Sequence, residues 1–386
     1  MIVSEPPKNR FEPVLIPPPL LVVIEDVGWW NGHSRPEVNQ PFRTGMSRMH
    51  CPEDYSAIIR LARHLKTQIL AGFVLCEWDR TGILRELPTA TWMGSQWPGC
   101  MAGHMYQNQV VSILNENPEY LRLAMHGVGH ECWIEGVASR SEFHDANGVM
   151  RDKDQVIKHI RMFEKLLKAS GIESPFPQVF IPPALKHSFG DGEQGFQKIL
   201  ADFGIRYVLT VFDKAKQFAP PMYSCVTQEC GVTLIERGLA PVSWDHVSAK
   251  PEFPFNHPII PLHWANLLHP VPEQNAEVVD RWAEFLSDGA RHNGYVFLPD
   301  VDAALSQIIF YQLTRIQPIK NGAILDITDV KHILSNQTTQ GFYVKLPPSA
   351  RISDQDGVME PADHIQEGLV RLIPSQYSEQ ITLFFE

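Results

Sequence analysis

The stretch Leu20-Leu21-Val22-Val23-Ile24-Glu25-Asp26 joins a continuous apolar run to a pair of adjacent carboxylates. A short apolar run without alternation is typical of a buried strand in a parallel sheet, and such sheets carry functional groups at the carboxyl ends of their strands. From residue 20 to about residue 306, further strand patterns alternate with helix patterns. This alternation predicts an α/β fold, built either as a β/α barrel or as an open parallel sheet.

Three regions of the chain differ in composition and in the pattern of their apolar residues. Residues 1–19 are rich in proline and predict an irregular arm, whereas residues 20–306 predict the main α/β domain. Polar turns separate short strand patterns in residues 307–386, which predicts a small β-rich appendage. Within the main domain, residues 76–105 hold several tryptophans and predict a long loop. This loop either packs on the domain or forms a wall of a substrate site.

Individual elements can be predicted inside the main domain. The clearest helix pattern covers residues 152–169, where an apolar stripe ends before Gly171. Residues 241–244 and 294–298 each predict a short strand, because they are apolar or aromatic segments between turn residues.

Composition excludes several classes of function. The 386 residues include 33 basic and 44 acidic side chains, for a net charge of −11, and no run rich in lysine or arginine, so nucleic acid is not expected as a partner. No apolar stretch approaches the roughly 20 residues of a membrane-spanning helix, and the proline-broken start lacks the pattern of a secretory signal peptide. We therefore expect a cytoplasmic protein without a membrane partner, whose six scattered cysteines are reduced.

Two histidines, His126 and His130, flank the segment Gly-Val-Gly directly after a predicted strand. Such a pair can bind one metal ion, on one face of a helix or across a tight turn, and the two glycines favour the turn. Because position 127 is glycine and not glutamate, the pattern excludes the helical metalloprotease motif. Alone, the pair is equally typical of structural histidines. Asp26 at another strand end would complete a set of two imidazoles and one carboxylate that leaves metal positions open.

Two further side chains are candidates for proton transfer. Glu25 could take a proton from an attacking water, although acidic pairs at strand ends also cap helices or form salt bridges. His263 ends an apolar strand pattern and could donate a proton, or it could be an ordinary histidine of the core. Asp245, at the end of the preceding predicted strand, could orient His263 or be a simple turn residue.

The order of these motifs resembles the polysaccharide deacetylase (NodB-homology) superfamily, within carbohydrate esterase family four. That family has an acidic pair on its first strand, a His-x-x-x-His motif, a proline-rich strand end, a Trp-Asp pair and a final Leu-His strand, followed by Gly-Tyr-x-Phe. The corresponding segments here are Glu25-Asp26, His126 to His130, Phe180 to Pro183, Trp244-Asp245, Leu262-His263 and Gly294 to Phe297. The resemblance covers about residues 20–306, and the ordered set is more specific than any one motif.

The resemblance implies a distorted β/α barrel of the polysaccharide deacetylase type and one divalent metal ion, usually zinc. The implied roles are metal ligand for Asp26, His126 and His130, general base for Glu25 and general acid for His263.

The family also implies that a backbone N–H near Ala184 helps the metal to hold the oxyanion. This chain departs from the family pattern at three positions. The base is usually aspartate where this chain has Glu25. The residue after the first metal histidine is usually serine or threonine where this chain has Gly127. The proline motif usually begins with arginine where this chain has Ile181.

These expectations define a leading hypothesis and two alternatives. The leading one is a metal-dependent hydrolase that removes an acetyl group from an N- or O-acetylated sugar, in a small molecule or a soluble glycan, with water activated by the metal. The same scaffold could instead hydrolyse a non-sugar C–N bond, or it could be a catalytically inactive barrel that binds carbohydrate. The sequence leaves open the oligomeric state and the role of residues 307–386.

Overall fold

A computed structural model describes residues 10–11, 14–103, 105–334, 341–353 and 355–385. By internal contacts the chain divides into two compact units, one of Val22–Leu286 and one of Met1–Leu21 together with Ser287–Glu386. This division differs from the predicted one, whose boundaries follow residues 19 and 306. The predicted boundaries rest on changes in sequence texture, whereas compactness depends on the contacts that residues make after folding.

The described residues contain seven α-helices. They are α1 Pro52–Leu65, α2 Gln107–Asn115, α3 Lys153–Ser170, α4 Phe196–Asp202, α5 Asn275–Asn293, α6 Val301–Leu313 and α7 Thr328–Ile333. Helix α3 confirms the clearest helix pattern. Its first turn is capped by Asp152, whose side chain accepts a hydrogen bond from the N–H of Gln155, and Gly171 ends it with a φ of 84°. No helix in the described residues combines the length and the apolar character needed to cross a membrane.

The β-strands are short, and most strands of the largest sheet follow apolar runs of the sequence. In chain order they are β1 Arg10–Phe11, β2 Val14–Leu15, β3 Leu21–Val27, β4 Ile69–Phe73, β5 Leu121–Met125, β6 Cys132–Ile134, β7 Val137–Ser139, β8 Val179–Phe180, β9 Ser188–Phe189, β10 Tyr207–Thr210, β11 Lys216–Gln217, β12 Val226–Glu229, β13 Val232–Glu236, β14 Ile259–His263, β15 Arg315–Ile319, β16 Gly322–Asp326, β17 Phe342–Lys345, β18 Arg351–Ile352, β19 Gly357–Pro361, β20 Leu369–Pro374 and β21 Gln380–Phe384. Strand β3 carries the apolar run through Glu25 and Asp26, and every one of its residues is buried. Burying each valine, leucine or isoleucine side chain stabilises the fold by about 1.5–3 kcal/mol.

An eight-stranded sheet, in the order β12-β13-β10-β8-β5-β4-β3-β14, organises the Val22–Leu286 unit. Parallel pairing joins β3 to β4, β4 to β5, β5 to β8, β8 to β10 and β10 to β13, while β12 is antiparallel to β13. A large, mostly parallel sheet with helices between its strands is an α/β fold. The last strand, β14, lies beside the first, β3, which is the neighbour relation that barrel closure produces. In the described residues the two edge strands, β12 and β14, are not paired with each other, so the distorted barrel stays a prediction.

Two predicted strands of the sequence have a different structure. Residues 241–244 form bends and a turn, and residues 294–298 contribute only a single bridge, between Val296 and Pro19. Pro241 lacks the N–H that a ladder needs, and Gly294 has a φ of 72°, so each segment begins with a residue poorly suited to a strand.

The unit of Met1–Leu21 and Ser287–Glu386 contains two antiparallel sheets, in the orders β1-β2-β17-β20-β19 and β15-β16-β21-β18. Short strands are predicted in residues 307–386, and β16, β17, β20 and β21 are among the strands found there. Strands β1 and β2 come from the segment predicted to be an irregular arm, and they lie at a sheet edge, where nearby prolines are tolerated. Helix α6 was missed because it is buried on most of its faces and shows little amphipathic periodicity.

Candidate metal centre

The three predicted metal ligands come together at the carboxyl ends of strands in the largest sheet. Asp26 lies on β3, and His126 directly follows β5. The ligand atoms of Asp26, His126 and His130 all lie within 4.8 Å of one another, and all three residues are buried. Oδ1 of Asp26 is 3.6 Å from Nε2 of His126 and 4.0 Å from Nε2 of His130. Two imidazoles and one carboxylate gathered this closely could hold a divalent metal ion.

A local irregularity of β3 places Asp26 in the site. The parallel register between β3 and β4 shifts between Ile24 and Val27. Asp26 has a φ of 63°, a left-handed conformation that is uncommon outside glycine. Such a conformation costs on the order of 1–3 kcal/mol and is concentrated at functional sites. Adjacent residues of a regular strand face opposite sides of the sheet, so this irregularity explains how Glu25 and Asp26 both reach one site.

His126 has the hydrogen bond that a metal-binding histidine needs. Its Nδ1 donates to the backbone carbonyl oxygen of Ile181, at an N···O distance of 2.8 Å. Because a carbonyl only accepts, Nδ1 carries a proton, and in the neutral ring Nε2 would keep the lone pair that a metal ion needs. Ile181 directly follows β8, so the proline motif lies against the site although position 181 lacks the arginine that is usual in the family.

Residues 126–130 form a turn and not a helix, as the two glycines predicted. Gly127 has a φ of 116° and His130 a φ of 63°, so left-handed residues stand near both ends of the turn. A Cβ atom at position 127 would lie 2.4 Å from Oε2 of Glu142. The serine or threonine that is usual in the family would not fit this backbone, which accounts for Gly127.

The charges of the three ligand residues complement one another. Burial raises the pKa of Asp26, but the neighbouring imidazoles of His126 and His130 outweigh it and hold the pKa of Asp26 well below its usual value. Burial lowers the pKa of His126, but Asp26 and Glu25 raise it by more, so that its pKa lies above the usual value. The site therefore keeps Asp26 ionised, which is the form that binds metal. The donor set fits a metal ion such as zinc.

Glu25 is paired with an arginine that sequence reasoning missed. Nη1 of Arg237 donates a hydrogen bond to Oε1 of Glu25, and both side chains are buried. Arg237 directly follows β13, and its backbone N–H donates to the carbonyl oxygen of Thr210 at 3.0 Å. The positive charge beside Glu25, the candidate base, therefore comes from the end of β13. In the family pattern the arginine stands instead in the proline motif, at the position of Ile181. The sequence holds one indication of this pairing: Arg237, like Glu25, stands at the end of an apolar strand pattern.

His263 is the last residue of β14, the strand beside β3. Its backbone N–H donates to Oδ1 of Asn266 at 2.8 Å. Burial lowers the pKa of His263 by more than the negative charges of Glu25 and Asp26 raise it. The structure therefore brings His263 near the same acidic pair, with its neutral form favoured.

Asp245 has the surroundings of a turn residue. It is solvent-exposed, and its Oδ1 accepts a hydrogen bond from Oγ of Ser243 at 2.6 Å. Of the two interpretations of Asp245, orientation of His263 or a place in a turn, these contacts favour the turn.

Two tryptophans of the 76–105 segment pack into the fold. Nε1 of Trp78 donates to the carbonyl oxygen of Gly28 at 2.8 Å, and Nε1 of Trp97 donates to Oδ2 of Asp79 at 3.0 Å. Both rings are buried, so packing is the role that their contacts support.

Comparisons with known proteins add a distant likeness. No family model matches the chain, and no curated protein matches it. Among solved structures, the chain is similar to one described as a "putative polysaccharide deacetylase" from Mycobacterium smegmatis, with 14% sequence identity and a TM-score of 0.30. The match covers 65% of this chain and 63% of that chain, so it spans less than two thirds of the matched protein. The fold and the site define an α/β protein with a buried Asp–His–His group that could hold a metal ion.

Proposed function

We propose that this chain is a metal-dependent hydrolase that removes an acetyl group from an N- or O-acetylated sugar. The main support for a hydrolase is that Asp26, His126 and His130 converge in one site. Glu25, a carboxylate paired with a buried arginine, lies beside them. The sugar is proposed from the ordered motifs that resemble polysaccharide deacetylases. A small molecule or a soluble glycan is the proposed substrate.

The proposed metal is zinc, held by Oδ1 of Asp26 and by Nε2 of His126 and of His130. When bound, such an ion polarises the acyl carbonyl and lowers the pKa of a water molecule toward neutrality. The low pKa of Asp26 keeps this ligand charged without the metal. The hydrogen bond from His126 to the carbonyl of Ile181 fixes the ring before the metal arrives.

Glu25 is the proposed general base. Arg237 occupies its Oε1, while Oε2 lies 4.0 Å from Nε2 of His126, on the side of the ligands. Oε2 is therefore the oxygen that would accept a proton from the attacking water. The glutamate side chain is one methylene longer than the usual aspartate, and the pairing with Arg237 fixes where that longer side chain ends.

His263 is the proposed general acid. Its lowered pKa favours the neutral ring, so we propose that it receives the proton that Glu25 has removed from the water and passes it to the departing nitrogen or oxygen, which leaves Glu25 ionised again. A backbone N–H near Ala184 is proposed to bind the developing oxyanion, as the resemblance implies, and the carbonyl of nearby Ile181 contacts His126.

The test combines metal analysis with acetate release. Purified protein is expected to contain one divalent ion and to release acetate from at least one member of a panel of N- and O-acetylated sugars. Glu25→Gln should keep the metal and lose turnover by roughly 10²–10⁴-fold, the usual contribution of a general base. His263→Ala should also keep the metal and slow turnover.

The other outcomes separate the alternatives. Protein that binds no metal would contradict the hydrolase. Bound metal with no turnover on any acetylated sugar, but with hydrolysis of non-sugar amides, would favour hydrolysis of another C–N bond. Bound metal and bound sugar without any turnover would favour an inactive binding barrel.

A further inference from the structure

The turn that carries His126 and His130 is held by hydrogen bonds to the side chain of Glu142. Its Oε1 accepts a hydrogen bond from the backbone N–H of Val128 at 3.0 Å, and its Oε2 accepts one from the N–H of Gly129 at 3.0 Å. Glu142 is 1% exposed, so these bonds form away from water. Both bonded amides lie between His126 and His130, which places the carboxylate directly behind the ligand-bearing turn.

The composition of this turn makes hydrogen bonds to its backbone important for its order. Two of its three central residues are glycines, which lose more conformational freedom on folding than any other residue. Without bonds to the backbone, the turn would sample many conformations, and metal binding would bear the free-energy cost of ordering them. Glu142 orders the turn by accepting hydrogen bonds from two backbone N–H groups. Neither β5 nor a metal ion could serve as the acceptor for these groups.

The opposite face of the turn is fixed as well. The carbonyl oxygen of Val128 accepts hydrogen bonds from the N–H groups of Leu75 and Cys76, at 2.9 and 2.7 Å. A Cβ atom at Gly129 would lie 2.4 Å from the carbonyl oxygen of Ala90, so the backbone packs closely there too. The turn is therefore held between the segment after β4 on one side and Glu142 on the other.

Glu142 is in turn held by His159 on helix α3. Nδ1 of His159 donates to Oε1 of Glu142 at 2.8 Å, and its Nε2 lies 2.8 Å from Oγ1 of Thr89. His159 is fully buried. A carboxylate that receives three donors has its rotamer fixed, and the chain of contacts connects a long helix to the metal-site turn.

We propose that Glu142 is a positioning residue, which with His159 pre-organises the His126–His130 turn for metal. This inference rests on the proposed metal site and goes beyond it by assigning metal affinity to a residue that touches no metal. Residues that orient metal ligands typically change metal affinity by about 10–100-fold when they are replaced.

The test variant is Glu142→Gln. An amide has one accepting oxygen, and its NH₂ group would face the N–H of Val128 or of Gly129, so one backbone donor loses its acceptor. Zinc affinity is measured by competition with a chelator, and the ligand geometry by the absorption spectrum of the cobalt(II) form. We expect zinc affinity to fall by about 10–100-fold and the cobalt spectrum to change.

Asp79→Asn is the matched control. Asp79 is also a buried carboxylate behind a turn, and it accepts hydrogen bonds from the N–H groups of Gly82 and Leu84 at 2.8 and 2.9 Å, but its turn carries no metal-site residue. The control should lower the melting temperature as Glu142→Gln does and leave zinc affinity unchanged. Equal zinc affinity in Glu142→Gln and the unsubstituted protein, or equal losses in both variants, would overturn the proposal.

A second variant serves if Glu142→Gln does not fold. His159→Phe keeps a ring of similar size on α3 and removes the donor to Glu142, and we expect zinc affinity to fall by roughly 3–10-fold. Unchanged zinc affinity in this variant would also overturn the positioning role. If the unsubstituted protein binds no zinc, the proposed function fails first. If it binds zinc and the variants bind equally well, only the positioning role fails.

Discussion

The proposed metal-ligand side of the site, with His126 and His130, and its proposed acid–base side, with Glu25, are held in place by different means. His126 and His130 stand on one short turn, fixed by backbone geometry and by buried partners such as Glu142. Glu25, on the acid–base side, is paired with Arg237, which is 212 positions away in the sequence. The ligand side can therefore be recognised from a local motif, whereas the partner of the base becomes visible only in the folded sheet.

The difference has a physical origin. A metal site needs donor atoms at fixed short distances, and one five-residue turn carries two of them close together in the sequence. A buried base needs an opposite charge, and any strand end at the same edge of the sheet can supply one. Arg237, directly after β13, supplies this charge, although this chain has isoleucine at position 181, where the family pattern has arginine.

The largest expected effect is the loss of metal from the ligand side. His126→Ala or His130→Ala removes one of three donors, and we expect either change to abolish metal binding at micromolar metal, as measured by elemental analysis after dialysis. His246→Ala, at an exposed histidine outside the site, is the control and should keep full metal content. Full metal retention in both ligand variants would mean that the metal binds elsewhere. The comparison between the metal-ligand side and the acid–base side would then no longer hold.

The next effect tests the acid–base side. Arg237→Met leaves Glu25 buried without its cation, and breaking such a pair costs about 3–5 kcal/mol in the free energy of unfolding. Urea unfolding of Arg237→Met, Glu25→Gln and the double variant gives the coupling between the two positions. We expect the double variant to recover part of the loss, because no charge is then left unpaired. Strictly additive losses would mean that the pair does not interact.

A smaller effect concerns the backbone of the turn. In Gly127→Ala the new Cβ atom would stand 2.4 Å from Oε2 of Glu142 on a backbone with a φ of 116°. We expect a loss of stability of roughly 1–3 kcal/mol and weaker zinc binding.

Gly136 provides the control for that substitution. It also has a positive φ, of 80°, but a Cβ atom there would meet nothing within 4 Å. Gly136→Ala should cost about 1 kcal/mol from backbone conformation alone and leave zinc binding unchanged. Equal zinc affinities in the two variants would show that the turn tolerates displacement.

The smallest effect is expected at Asp245. Because its carboxylate is exposed and bonded to Ser243, Asp245→Asn should change acetate release by less than about twofold, within the range of ordinary surface substitutions. Steady-state kinetics with the preferred acetylated sugar measures this. A loss of turnover comparable to that in His263→Ala would instead show that Asp245 orients His263 during the reaction.

Much of the fold could be predicted from the sequence, because its strands are continuous apolar runs and its helices are amphipathic. Strand β3 and helix α3 both follow their patterns closely. The failures have specific causes. Helix α6 is buried on most faces and lacks periodicity, while residues 241–244 and 294–298 begin with a proline and a glycine that disfavour a ladder.

The candidate site could be predicted only in part. The sequence shows Asp26, His126 and His130 through strand ends and spacing, and the structure gathers their ligand atoms within 4.8 Å. It does not show Arg237 or Glu142, because neither belongs to a motif. Arg237 is 212 positions from Glu25, and Glu142 reaches the turn through side-chain contacts with backbone N–H groups, which no local pattern encodes.

The most direct test of the metal centre is crystallography of the zinc-loaded protein with anomalous diffraction at the zinc edge. We expect one strong anomalous peak bound by Oδ1 of Asp26 and by Nε2 of His126 and of His130, at the roughly 2.0–2.2 Å typical of zinc. Glu25 should lie beside the ion with Arg237 still on its Oε1. No peak at these residues, or a peak held by other side chains, would contradict the account.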